Sequence, residues 1–247
     1  MGRSWDAASY HRVSTSMDAM AGQVLDRLPL RGDETVLDAG CGTGRVTARL
    51  LERLPRGRVI AVDADPAMVA IARETLPEVI LCDLLALDLP EPVDAIFSTA
   101  TFHWVLDHAL LFDRLAAALR PGGVLVAQCG GAGNIAALAA AASALAGSAL
   151  WRPFFTDYTE VWNFADEATT RRRLARAGFE DVSCWLQPFP LTPAEPLEYL
   201  ETVPLGPFVQ RLPADRRREF ATAVWSQVGG DTVDYVRLNI VARRGSR

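Results

Sequence analysis

An α/β fold built on a mostly parallel sheet is the architecture this sequence predicts, and three observations predict it. Between Glu34 and Gly130, short apolar runs alternate with helical patterns, the order that parallel strands joined by right-handed crossover helices produce. The run Val36-Leu37-Asp38 leads through Ala39 into three glycines at alternate positions, Gly40, Gly42 and Gly44, and then into an apolar helix pattern. A strand that turns into a helix through glycines brings bare backbone close to a ligand, and the helix start offers it unpaired N–H groups. Finally, 247 residues that are 50% hydrophobic suffice for one substantial core, whereas two equal domains would each be small.

The elements follow in order. Strands are expected at residues 36–38, 59–62, 79–82, 95–97 and 124–127. The helix after the glycines has Val46, Leu50, Leu51 and Leu54 on its apolar side, Thr43 as its cap and Pro55 beyond its end. Asp65-Pro66 reads as an N-cap with proline at the first helical position, and Pro77 ends that helix. Asp107 caps a third helix with Leu111, Leu115 and Leu119 inward, stopped by Pro121-Gly122-Gly123. Asn134 caps an alanine-rich helix ending near Gly147, and Trp151 to Phe164 is aromatic-rich and irregular or short helical. A helix over 166–177 leads through Gly178-Phe179 into a strand near 182–186. Residues 188–213 hold seven of the 15 prolines, so they are not sheet core, and short helices at 195–201 and 214–228 fit there. The last strand, 233–242, puts Val236, Leu238, Ile240 and Ala242 on one face and has an antiparallel look.

Composition excludes several functions. A net charge of −5 and a pI of about 5.3 disfavour a nucleic-acid partner. Every basic residue is arginine, so Schiff-base chemistry and a lysine general base are ruled out; the arginine and alanine excess suggests a GC-rich bacterial genome. Cys41, Cys82, Cys129 and Cys184 match neither a zinc spacing nor a disulfide framework, which points to no metal and to a reduced, cytoplasmic protein. The N-terminus has no apolar signal core, and the run Ile135 to Ala146 is too short to span a bilayer, so no membrane partner is expected. Nothing in the sequence sets an oligomeric state.

Three acids end successive strands: Asp38, Asp63 and Asp83. In a doubly wound sheet those ends face the ligand crevice. Asp63 follows Gly44 by 19 positions, where a carboxylate can accept from two ribose hydroxyls. A glycine-rich strand–helix turn also serves nicotinamide and flavin proteins, but the spacing here is Gly-x-Gly-x-Gly, with Arg45, Val46 and Thr47 following, not Gly-x-Gly-x-x-Gly.

Asp38-Ala39-Gly40-Cys41-Gly42-Thr43-Gly44 resembles motif I of the class I S-adenosylmethionine-dependent methyltransferases. Val62-Asp63-Ala64-Asp65-Pro66-Ala67-Met68, Cys82-Asp83-Leu84, the stretch Phe97 to Trp104 with Asp107-His108, and Leu119-Arg120-Pro121-Gly122-Gly123 resemble further segments of that family. The resemblance spans most of the chain. It implies a Rossmann-like seven-stranded sheet, mostly parallel with an antiparallel last strand, plus α-helical lid insertions, and S-adenosyl-L-methionine as cofactor. It implies that Gly40, Gly42 and the neighbouring backbone lie against the methionine part, with Asp38 also a cofactor-binding residue, that Asp63 takes the ribose hydroxyls, and that Ala64 and Met68 flank the adenine. Asp83 accepts from the adenine amino group, Leu84 covers a ring face, Ser98 and Thr99 sit near the sulfonium, and Tyr10 folds over the cofactor. The Trp5…Tyr10 opening, the His-Trp-x-x-Asp-His string and the Leu-Arg-Pro-Gly-Gly turn are similar to the trans-aconitate methyltransferase group in particular.

The expected chain organisation is a single domain over 1–247. Residues 1–32 form an N-terminal helical cap, 33–130 the cofactor-binding core, 131–165 and 188–230 a substrate lid, and 166–187 and 231–247 complete the sheet. Phe102, Trp104, Trp151, Phe155 and Tyr158 are the candidate substrate contacts on the loop and the aromatic lid, which suits a small organic acceptor. A tricarboxylate pocket calls for several arginines, with Arg12, Arg152 and Arg171 as candidates; the apolar lid suggests a less charged substrate. His103 is the candidate catalytic residue: it deprotonates a hydroxyl or amine acceptor, orients a carboxylate, or bonds only to backbone. The expected activity is O-methylation of a carboxylate or hydroxyl. The alternatives are a C- or N-methyltransferase, a non-catalytic protein that binds the same cofactor, and a nicotinamide-dependent oxidoreductase.

Overall fold

The computed structural model describes residues 18–246. Seven strands form one sheet in the order β3-β2-β1-β4-β5-β7-β6: β1 (Thr35–Ala39), β2 (Arg58–Asp63), β3 (Val79–Leu81), β4 (Val93–Thr99), β5 (Leu119–Gly130), β6 (Phe179–Pro188) and β7 (Val236–Arg244). The first five pair in parallel, and β7 runs antiparallel to both neighbours, β5 and β6. This is the predicted fold class, with the reversed strand the last in the chain.

The central strands are apolar on successive residues because both faces are covered. Leu37, Ile60, Val62 and Ile96 pack on one side with Leu111, Phe112 and Leu115 of α4 (His108–Ala118) and Leu174 of α6 (Glu167–Arg176). Val36, Val59, Phe97 and Val126 pack on the other with Val24 and Leu25 of α1 (Asp18–Asp26) and Leu50 of α2 (Arg45–Glu52). A third cluster is separate from the sheet. It joins α5 (Ala136–Ala146), the aromatic segment with Trp151, Phe155 and Trp162, and the helices α7 (Pro196–Thr202), α8 (Gly206–Val209) and α9 (Ala214–Val228). These segments follow β5 and β6, which both end at the same edge of the sheet, so the helical layer stands over the carboxyl ends of the parallel strands.

Several local expectations hold. Asp65 accepts from the amides of Ala67 and Met68 at the start of α3 (Pro66–Ala72), and Asp107 accepts from Ala109 and Leu110. Others are corrected. The cap position before α2 is Gly44 in the left-handed region, without a side-chain cap, so Thr43 does not fill that role. Asn134 does not cap α5: its Oδ1 accepts from Val236 N at 3.1 Å, and the amide of Ala137 is taken by Asp234 at 2.9 Å, 97 residues along the chain. Strand β5 begins at Leu119, before the Pro-Gly-Gly turn, because Leu119 pairs with Val93. Strand β7 begins at Val236, and Arg237 to Ile240 are buried in succession, so both of its faces are covered there, one of them by Met20 of α1 and by Arg27 just after it.

Candidate functional site

The strand order reverses between β1 and β4, and a crevice at that point is where open α/β sheets take ligands. A cavity of about 790 Å³ lies there, within the roughly 300–1,000 Å³ of sites that bury a small ligand. Asp38, Gly40, Gly42 and Asp63 border one end of it; Trp104, Tyr158, Trp162 and Phe164 border the other.

The three glycines of the bend do three different things. Gly40 has φ +90°, and a Cβ there would meet the side chain of Thr101 at 2.2 Å; the Thr101 hydroxyl donates to Gly40 O at 3.1 Å. Gly44, at φ +82°, would drive a Cβ to 2.7 Å from Leu76, so its bareness serves helix packing. Gly42, at φ +55°, has nothing within 4 Å of such a Cβ. Of the three, it is Gly42 that holds space open beside the cavity. The bend is held by Val62 O, which accepts from Gly40 N and Cys41 N at 2.8 and 3.0 Å. Asp63 accepts from Gly42 N on Oδ2 and Asp65 N on Oδ1, both at 2.9 Å. Each Asp63 oxygen thus keeps a lone pair for a further donor.

A buried carboxylate, Asp38, and a half-buried one, Asp63, meet here. Burial pushes Asp38 up to about 7, against the pull of the Thr47 hydroxyl, which donates to Oδ2 at 2.6 Å; the Asp63 charge raises it further. Asp63 is also raised, by burial first, with its backbone donors pulling the other way. Among the described residues no ion pair neutralises either acid. The arrangement fits a ligand that brings positive charge and hydroxyl donors. Beside it, Ala64, Met68, Asp83 and Leu84 line the cavity, with Asp83 Oδ1 taken by Leu85 N at 2.9 Å. Thr99 lines it too, followed by Ala100 at φ +60°, a left-handed conformation that is strained for a residue with a Cβ. Ser98 does not: it is buried, and its hydroxyl donates to Ala39 O at 2.6 Å. Tyr10 lies outside the described residues.

His103 sits on the short turn Phe102–Trp104 and borders the cavity. Gly130 N donates to its Nδ1 at 3.2 Å, and Phe164 stacks on the ring at 5.7 Å. With Nδ1 accepting, the neutral ring carries its proton on Nε2. His108 is structural: its Nε2 meets Phe102 O at 2.9 Å, and burial lowers its pKa, so it is a neutral brace for the turn. Asn163 ties the aromatic segment to the same turn by donating from N to His103 O and from Nδ2 to Leu106 O.

At the aromatic end of the cavity the structure divides the predicted aromatics. Trp104 and Tyr158 line the cavity. Phe102 is 1% exposed and packs edge-on to Phe112, so it is sheet core. Trp151 and Phe155 are buried against Phe220 in the helical layer. Their places on the cavity wall are taken by Trp162 and Phe164, stacked at 5.6 Å. Arg152 and Arg171 do not border the cavity, and Arg12 lies outside the described residues; the arginines that do border it are Arg45, Arg211 and Arg237. Sequence reasoning missed Thr101, Tyr235 and Arg237. The sequence carried no signal for Arg237, because the alternation of its strand assigns it to the solvent side.

Residues 36–123 match a family model described as a methyltransferase domain. A trans-aconitate 2-methyltransferase of Azoarcus sp. (strain BH72) is 43% identical over 126 residues, 50% of this chain and 50% of that protein. The chain spans about half the length of the curated relatives it matches. Among solved structures, the YcgJ protein of Bacillus subtilis has a TM-score of 0.65 at 15% identity, over 92% of this chain and 99% of that one. Haemonchus contortus phosphoethanolamine N-methyltransferase 2, in complex with S-adenosyl-L-methionine, has a TM-score of 0.63 at 18% identity, over 97% of this chain and 56% of that one. At those identities the likeness shows the fold.

Proposed function

We propose that this chain, whose residues 36–123 match a methyltransferase-domain model and whose sheet is Rossmann-like, is an S-adenosylmethionine-dependent methyltransferase. Its acceptor is a small organic molecule, methylated on a carboxylate or hydroxyl oxygen. One observation carries this reading: a single cavity runs from an acidic glycine bend to an aromatic wall under a helical layer. The name of the Azoarcus relative, a trans-aconitate 2-methyltransferase, supports a carboxylate-bearing acceptor.

The residues present fit the cofactor. Asp63 has acceptor capacity left for the two ribose hydroxyls, and Met68 and Leu84 give apolar faces for the adenine, with Ala64 beside them and Asp83 toward its amino group. Asp38, ionised on binding, would face the ammonium of the methionine part, and the bend at Gly40 and Gly42 would hold that part, with Gly42 leaving the space open. Thr99 lies toward the sulfonium end. When bound, S-adenosylmethionine supplies a methyl group already activated for in-line displacement.

What remains for the protein is alignment and exclusion of water. Trp104, Trp162 and Phe164 wall the acceptor side and keep it dry. His103 orients the acceptor by donating from Nε2, because the amide of Gly130 occupies the nitrogen that a general base would need free. A carboxylate acceptor requires no base, which agrees with that assignment. The test is calorimetry with S-adenosylhomocysteine, followed by a metabolite screen scored for methyl incorporation from labelled cofactor. Binding and incorporation into a small acid or alcohol are expected. Absence of binding, or binding of a nicotinamide dinucleotide instead, defeats the reading.

A further inference from the structure

Arg237 holds a permanent charge inside the molecule. It is 3% exposed and borders the cavity. Its Nε points to Met20 Sδ at 3.3 Å, and its guanidinium lies 4.3 Å from the centre of the Tyr235 ring. Neither partner carries charge. Its Nη2 is buried and has no hydrogen-bond partner. Arginine does not shed its proton in proteins, and a buried cation without an anion is costly enough that such groups are normally paired. The nearest thiol is no substitute, since burial pushes Cys129 up to about 12 and keeps it neutral.

A second orphan faces the same cavity. The Tyr158 hydroxyl is buried and unpartnered. Its ring is held by stacking on Phe208 at 4.7 Å. Two buried polar atoms on the cavity wall, Arg237 Nη2 and the Tyr158 hydroxyl, thus lack hydrogen-bond partners among the described residues.

Position separates Arg237 from the adenosine end. It pairs with Gly130 in register, and Gly130 is the residue whose amide holds His103. Strand β7 stands three places from β1, across β4 and β5, or about 14 Å at ~4.8 Å per strand. It stands two places from β4, about 10 Å by the same spacing. A group held at Arg237 is thus not the group presented at Thr99.

We propose that Arg237 is a specificity residue of the acceptor site, holding a carboxylate handle on the acceptor that is distinct from the atom methylated. This rests on the methyltransferase reading for what the acceptor is, but not for whether an anion binds. The planar guanidinium suits a carboxylate, and the aromatic wall suits an apolar body between handle and reacting atom. Tyr158 provides a second hydrogen bond along that body.

The experiment measures thermal stability and calorimetric affinity with phenylacetate, its neutral counterpart phenylacetamide, and trans-aconitate, in the presence of S-adenosylhomocysteine. Phenylacetate at saturation is expected to raise Tm by about 3 °C or more, and phenylacetamide to raise it little. Arg237→Met is expected to abolish the carboxylate shift, to bind S-adenosylhomocysteine within about twofold of the parent, and to match or exceed the parent's Tm without ligand, because it removes a buried unpaired charge. Arg237→Lys is expected to retain part of the shift. Three results overturn the proposal. The first is no Tm shift from either carboxylate, or an equal one from the amide. The second is an Arg237→Met protein that is several degrees less stable and still responds to carboxylate. The third is a tenfold loss of S-adenosylhomocysteine affinity, which would assign the guanidinium to the cofactor's own carboxylate. A parent protein that ignores S-adenosylhomocysteine but gains stability from phenylacetate through Arg237 defeats the methyltransferase reading alone.

Discussion

Replacing Gly42 and Gly40 by alanine separates a glycine that opens a ligand site from one that packs the fold. At Gly42 a methyl group meets nothing within 4 Å, so its structural cost is the left-handed backbone at φ +55°. That cost is about 1–2 kcal/mol, or roughly 2–8 °C in Tm for a chain of this size. At Gly40 the backbone is also left-handed, and the new methyl lies 2.2 Å from the Thr101 side chain. Overpacking adds about 1–3 kcal/mol, so Gly40→Ala should lose roughly 4–20 °C.

Affinity should run the other way. Gly42→Ala places its methyl in the open space where the methionine part of the proposed cofactor would lie, and S-adenosylhomocysteine should bind tenfold or more weakly to a protein that is still folded. For Gly40→Ala the deficit is one of stability, and combining it with Thr101→Gly should restore much of the lost Tm. The two readouts are differential scanning calorimetry and titration calorimetry on the same preparations. If Gly42→Ala binds as tightly as the parent, the cofactor does not approach this bend. If Gly40→Ala loses binding without losing stability, the division of labour between the two glycines is wrong.

Asp63→Asn removes one of two acceptor oxygens that also hold the amides of Gly42 and Asp65; cofactor affinity should fall roughly tenfold or more, and calorimetric affinity equal to the parent's would place the ribose elsewhere. Asp38 gives a pH signature. Its folded pKa is raised to about 7 from 3.8, so the folded state binds the proton more tightly than the unfolded chain and stability falls as pH rises from about 4 to 7, levelling above. A cationic ligand favours the ionised form, so affinity should weaken below pH 7 by up to about tenfold per unit, and Asp38→Asn should flatten that profile; a flat profile in the parent refutes the role. His103→Ala should lower turnover while leaving S-adenosylhomocysteine affinity intact, and ring-nitrogen NMR should find its Nδ1 unprotonated; a protonated Nδ1 would reopen the assignment as a base.

The strand-end wall of the cavity was legible because it is local. Asp38, Gly42, Asp63, Met68 and Asp83 each lie at or just past a strand end, and the parallel topology brings successive strand ends to one edge. What failed there failed by parity. Ser98 and Thr99 are adjacent in β4 and point to opposite sides, so one faces the cavity and the other bonds to Ala39 beneath it. The acceptor half was less legible because its aromatics come from a segment without regular structure. Trp151, Phe155, Tyr158, Trp162 and Phe164 look alike in composition, and no period says which faces inward. The contacts that decide it, Asn163 to the His103 turn and Tyr158 to Phe208, join residues far apart in the chain.

Strand β7 explains why the most telling acceptor residue escaped a linear reading. The alternation Val236, Leu238, Ile240, Ala242 invites the inference that Arg237 and Asn239 face solvent. That inference holds for an edge strand, but here β5 and β6 flank β7 and α1 covers its second face. Asn239 accordingly sits at 0% exposure, accepting from Arg27 at 2.5 Å and from Gln128 at 2.8 Å. Asn239 is satisfied within the protein, whereas Arg237, two residues closer to the cavity, is not. Because β7 runs opposite to its neighbours, its first residues arrive at the carboxyl edge of the sheet directly after the helical layer, where Asn134 and Asp234 tie α5 to the strand's start. The reversal of one strand thus delivers a charged side chain from the end of the chain to the chamber that the middle of the chain encloses.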